Sequence, residues 1–240
     1  MFVREQTLRT LGNMENASTR RIATLAALVL ASLGCCTLVA VRVAFTGVPN
    51  FTYLIWNLAL AWIPFVLAIL FYDGRRRGTG PLRLSSLAAL WLLFFPNAPY
   101  IVTDFVHLER DPLSPLWFDG MTIASFASVG LLLGFGSLYL VQSVVRQALG
   151  TRFAWGVAGA ALALGSVGIY LGRFVRLNSW DILTSPHYLL WLAGRRLADP
   201  LGNPKLLAVV LASTLLLGAA YLVVYTFASA GLRLELDRRR

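Results

Sequence analysis

Six stretches of this chain, residues 22–45, 51–72, 82–104, 118–145, 153–176 and 204–231, stay apolar long enough for a helix of about 20 residues to cross a bilayer. The pattern leaves no room for a soluble domain. A hydrophobic content of 58%, a charged content of 13% and a mean hydropathy of +0.69 agree with an integral membrane protein. The expected fold is an all-α polytopic membrane bundle. It divides into a basic tail over 1–21, a six-span region over 22–231 and a second basic tail over 232–240. The first run does not suit a signal peptide, because its apolar part continues well past Cys36. Cys35 and Cys36 are adjacent within a span and cannot staple distant parts of the chain, so they read as small packing residues.

Arginines orient the bundle. With six spans both termini share a side, which carries Arg4, Arg9, Arg20, Arg21, Arg75, Arg76, Arg77, Arg83, Arg146, Arg152, Arg233, Arg238, Arg239 and Arg240, or 14 of the 21 basic residues. The other side holds Arg42, Arg110, Arg173, Arg176, Arg195, Arg196 and Lys205. The positive-inside rule then places the termini in the cytoplasm of a cell membrane, with anionic lipid headgroups as partners of that face. Topology accounts for the net charge of +10 without nucleic acid, since these arginines flank spans and are not interleaved with stacking aromatics.

The third run departs from the rest. From Trp91 to Glu109 it reads WLLFFPNAPYIVTDFVHLE, with two prolines and an asparagine inside apolar sequence. Leu82 to Phe95 makes a helix of only about 21 Å, against about 30 Å of hydrocarbon. The break therefore falls within the membrane, where freed backbone groups must be buried in protein or line a polar cavity. Proline disfavours helix in the residue before it, and asparagine is a good N-cap, so one helix stops near Phe95 and another starts near Ala98. The restarted helix puts Asp104 and His107 on one face. Its N-terminal N–H groups point into the bundle as a site for an anion or a carbonyl oxygen, unless the prolines merely kink the helix.

Other polar residues collect on the same outer side. Asn57 lies in span two, seven residues before Pro64, and at that depth wants a partner such as an interhelical hydrogen bond. Arg173 and Arg176 end span five three residues apart. They either snorkel to the headgroups or aim inward to clamp a phosphate or pair with Asp104, Asp119 or Asp181. Asn178, Trp180 and Asp181 come next in a turn, and Ser185-Pro186 then opens a short outer interfacial helix to about Arg196. With Asn97 and Tyr100, these residues predict a one-sided extracytoplasmic cleft.

Chemistry within that cleft is less legible. Asp104 and His107 have the spacing for acid/base catalysis or for two metal ligands, but no HExxH, paired-cysteine, nucleophile-elbow, P-loop or dinucleotide pattern is present. No cofactor is expected, and whether the chain is an enzyme stays open. Gly130 with Gly134, and Gly168 with Gly172, are small-xxx-small pairs that bring backbones close.

The strings NLALAWIP (57–64), FPNAPYIVTDFVHL (95–108), WFD (117–119) and YLGRFVRLNSWD (170–181) resemble those of a bacterial membrane-protein family designated domain of unknown function 1361. The resemblance implies a multi-pass membrane protein and no particular activity. Three functions are open to such a chain. The first binds or processes an anionic lipid or lipid-linked substrate at the outer face, with Arg173 and Arg176 as anion clamp. The second is a small-solute transporter or channel, although the inner halves of the spans are apolar and no inverted repeat is visible. The third is an accessory or assembly subunit that receives a protein partner or a second copy of itself.

Overall fold

The computed structural model describes residues 2–109, 111–175, 187, 191, 194, 195 and 202–237, with side chains only between 19 and 229. Its long helices are α1 (Phe2–Thr46), α2 (Thr52–Arg76), α3 (Pro81–Phe94), α5 (Leu116–Leu149), α6 (Thr151–Tyr170) and α7 (Pro204–Asp237), with the one-turn α4 (Asn97–Tyr100) between α3 and α5. A 3-10 turn over Ile101–His107 extends α4, and a π turn over Leu171–Val175 extends α6. Six segments are long and apolar enough to cross a membrane: Thr19–Thr46, Thr52–Arg76, Pro81–His107, Leu116–Leu149, Thr151–Val175 and Pro204–Ser229. The chain is an integral membrane helix bundle. The expected tail at 1–21 is helical from Phe2 and continuous with the first span.

α5 is the central helix. Its most apolar window is 56% buried, against 11% for those of α1 and α7, so the first and last spans lie at the periphery. α5 packs against α1, α2, α4, α6, α7 and the 3-10 turn. Leu30, Leu33, Phe45, Leu215, Leu216 and Phe227 stay exposed on α1 and α7, as lipid-facing side chains would be. Gly150 is both the end of α5 and the residue before α6, and its φ of 87° lies where only glycine sits without strain. This one-residue turn sends α6 back along α5. Arg173, in the π turn at the far end of α6, thereby reaches Asp104 and His107 of the third span.

The third span breaks where the prolines demand it. Pro96 and Pro99 have no N–H to give, and α3 closes with the Phe95 N–H on the Trp91 carbonyl at 2.8 Å. Asn97 repairs the gap, its Nδ2 donating to the Phe94 carbonyl at 3.0 Å. The expected N-cap is not formed, because Pro96 keeps helical angles (φ −58°, ψ −26°) and no side chain caps α4. Two N–H groups at this helix start already have partners: Ala98 N–H bonds the Phe95 carbonyl and Tyr100 N–H bonds that of Pro96.

Glycines of two neighbouring helices seat this irregular segment. A Cβ on Gly130 would lie 2.8 Å from the Ala98 carbonyl oxygen, and one on Gly168 would lie 2.5 Å from Pro96 Cγ. Gly134 and Gly165 leave similar room for Ala98 and Phe95. Gly130 brings backbones close, and Gly134 and Gly168 admit the side chains of Ala98 and Pro96, so what approaches these glycines is the broken segment. Phe95, Ala98 and Ile101 are consequently fully buried.

Candidate functional site

The 3-10 turn sets the geometry. With about 3 residues per turn, positions three apart eclipse, so Asp104 and His107 share a face more closely than in an α-helix. Facing them is Arg173, in the π turn that ends α6. Its Nη2 donates to Asp104 Oδ1 at 2.6 Å and to Thr103 Oγ1 at 2.8 Å, and its Nε reaches the same hydroxyl at 3.0 Å. Nη1 stands 2.9 Å from His107 Nε2. A guanidinium only donates, so Nε2 is the acceptor there. The cation also lies 4.9 Å from the Tyr100 ring centroid.

Asp104 is the anchor of this network. It is 1% exposed, and its second oxygen accepts from Asn57 Nδ2 at 2.8 Å. α2, the 3-10 turn and α6 are thus tied at one carboxylate. A buried charge with one partner removed is costly, about 3–5 kcal/mol, whereas one that is paired and hydrogen-bonded is tolerated. With both oxygens engaged, Asp104 is placed to hold Arg173. His107 is more exposed, and its ring packs edge-on against Tyr53 at 5.3 Å between centroids.

A second ion-pair cluster lies beside the first. Arg42, near the end of α1, is 2% exposed and reaches Asp119 on α5 through Nε (2.8 Å) and Nη2 (3.1 Å). The same Nη2 donates to Asp111 at 2.9 Å, and Ser114 Oγ donates to Asp119 at 2.7 Å. The Phe51 ring centroid lies 4.2 Å from the guanidinium carbon. Arg42 Nη1 is buried without a hydrogen-bond partner, and so is the Tyr53 hydroxyl.

Between the clusters is a cavity of about 430 Å³, lined by Arg42, Asn50, Phe51, Tyr53, His107, Glu109, Asp111, Pro112 and Asp119. That volume is within the usual range of small-molecule sites, about 300–1,000 Å³. His107 and Tyr53 belong both to the cavity wall and to the contacts around Arg173.

Of the residues singled out by sequence, Asn57, Tyr100, Asp104, His107 and Arg173 meet in one network. Asp119 stands in the neighbouring one, paired with Arg42. Asn97 serves the break. Arg176, Asn178, Trp180 and Asp181 lie outside the described residues, as does most of the expected interfacial helix. Within that stretch His187, Trp191, Gly194 and Arg195 are helical and exposed. Among the described residues no three His, Cys, Asp or Glu side chains converge as a metal site, so Asp104 and His107 have no third ligand there.

Sequence reasoning missed Arg42, Tyr53 and Thr103 as site residues. Arg42 had one local signal, a charge four residues inside the end of a helix that is otherwise apolar from Ile22 onward. Tyr53 and Thr103 gave none.

The family model described as "Protein of unknown function (DUF1361)" matches residues 56–219. No curated protein and no solved structure matches the chain. All five residues of the Arg173 network named from sequence lie within the match, whereas Arg42, Asn50, Phe51 and Tyr53 precede it.

Proposed function

We propose that this chain, which belongs to the DUF1361 family of proteins of unknown function, binds the polar head of a phosphate-bearing lipid or lipid-linked substrate in the cavity beside His107. The observation that carries this reading is that two residues of one cavity wall, Arg42 and Tyr53, each hold a buried donor, Nη1 and Oη, that has no acceptor. Buried donors normally have partners, and a ligand oxygen would supply both. The cavity lies where α1 ends and α2 and α5 begin, the level at which headgroups meet a bundle. Beneath it the core is apolar, with Ile123, Phe126 and Leu133 buried, which favours binding over passage of a solute through the bundle. In this reading the cavity end faces out of the cytoplasm, and the end with Arg20, Arg75, Arg76 and Arg77 meets anionic headgroups on the cytoplasmic side.

Arg173 has a different part from the anion clamp that its position first suggests. Asp104, Thr103 and His107 take four of its five N–H donors, so it holds the His107 wall in place. Native mass spectrometry of gently solubilised protein tests the proposal. Wild type should retain a phospholipid or lipid-linked phosphate, and Tyr53→Phe, which removes one orphan donor with little change of shape, should retain less. Wild type devoid of any such molecule sinks the reading.

A further inference from the structure

The charges around the cavity do not match a purely anionic occupant. Among the described residues that line it, one arginine stands against Glu109, Asp111 and Asp119. Arg42 is shared between the two aspartates. Glu109 is exposed, and none of the described ion pairs includes it. Among the described residues the wall therefore carries a carboxylate without a cation partner, beside two residues that each hold an unpartnered buried donor. A phosphate alone would satisfy the donors and be repelled by the acids, while an amine alone would leave the donors orphaned.

Resting on the binding reading above, we propose that the occupant is an ammonium–phosphate zwitterion of the phosphoethanolamine type. Its phosphate oxygens accept from Arg42 Nη1 and Tyr53 Oη, and its primary ammonium donates to Glu109. The ammonium also offsets the excess negative charge of the described wall residues, which no anionic headgroup does. Asp111 and Asp119 hold Arg42 and are not themselves contacts of the ligand. A primary ammonium fits better than a quaternary one because Glu109 is an acceptor that rewards N–H donors.

The test measures binding to detergent-solubilised full-length protein by the shift in thermal unfolding. Four probes are compared: short-chain phosphatidylethanolamine, phosphatidylcholine, phosphatidylglycerol and free phosphoethanolamine. Phosphatidylethanolamine should bind at least about tenfold tighter than the other two lipids, the worth of one charge-assisted hydrogen bond. Glu109→Gln should remove that preference while binding phosphatidylglycerol no more weakly than wild type does. Binding of free phosphoethanolamine as well as the lipid would mean that the headgroup suffices, and binding of the lipid alone that the acyl chains are needed; both support the zwitterion. Equal or tighter binding of phosphatidylglycerol, or a Glu109→Gln protein that keeps the preference, overturns the zwitterion and leaves lipid binding standing. If no probe binds and Tyr53→Phe behaves as wild type, both readings fall. Glu109 is at the surface, so its substitution leaves the fold intact.

Discussion

Asp104 and Arg173 are 69 residues apart in sequence and 2.6 Å apart in space, and their contact ties the broken third span to the end of the fifth. Thr103, His107, Tyr100 and Asn57 all arrange themselves around that one bond.

Removing the cation alone should be severe. Arg173→Gln leaves Asp104 buried and unpaired and should lower stability by about 3–5 kcal/mol. The double variant Arg173→Gln with Asp104→Asn removes both charges and should recover much of the loss. Thermal unfolding of the two proteins in the same detergent checks this, and equal losses would show that the pair is not coupled.

Asn57 offers a graded case. Asn57→Ala removes a hydrogen bond to the Asp104 carboxylate and should cost about 1–3 kcal/mol. Asn57→Asp instead sets a second carboxylate against Asp104 and should be clearly worse. A ranking in the reverse order, read from unfolding midpoints, would contradict the contact at 2.8 Å.

The glycine seat predicts a contrast within one helix. Gly168→Ala would bring its Cβ to 2.5 Å from Pro96, while Gly159→Ala in the same helix meets nothing within 4 Å. The first should cost about 1–3 kcal/mol through overpacking. The second should be neutral or gain up to about 1 kcal/mol, because alanine favours helix over glycine. Similar effects at both positions would mean that the break does not rest on α6.

Orientation is open to chemical labelling. In a background with Cys35 and Cys36 replaced, a cysteine at Leu113 should react with a membrane-impermeant maleimide from outside intact cells. A cysteine at Arg77 should react only after permeabilisation. Both positions are exposed at opposite ends of the bundle, so a swapped result would invert the proposed topology.

Much of the scaffold could be read from the chain because hydrocarbon allows few alternatives. A run of apolar residues as long as 51–72 has to be a helix, and two prolines within 96–99 have to kink or break one. Asn57 announces a partner because an amide at that depth is costly alone. What stays hidden depends on contacts across the chain. Arg42 looks like any arginine near a span end until Asp111 and Asp119, 69 and 77 residues later, fold against it. Asn97 departs from its expected role for a local reason: Pro96 keeps helical angles, so the amide turns back to Phe94 instead of capping α4.

The π turn Leu171–Val175 carries a consequence of another kind. Such a turn holds about one residue more than an α-helical turn, so the position of each side chain within it depends on that extra residue. Deleting Leu171 or Gly172 would let the turn relax to α-helical winding, draw Arg173 one position nearer Tyr170 and take its guanidinium off Asp104. Every span would keep its length and hydropathy. The register between two distant segments thus hangs on a residue count, which substitutions leave untouched and one small deletion would erase.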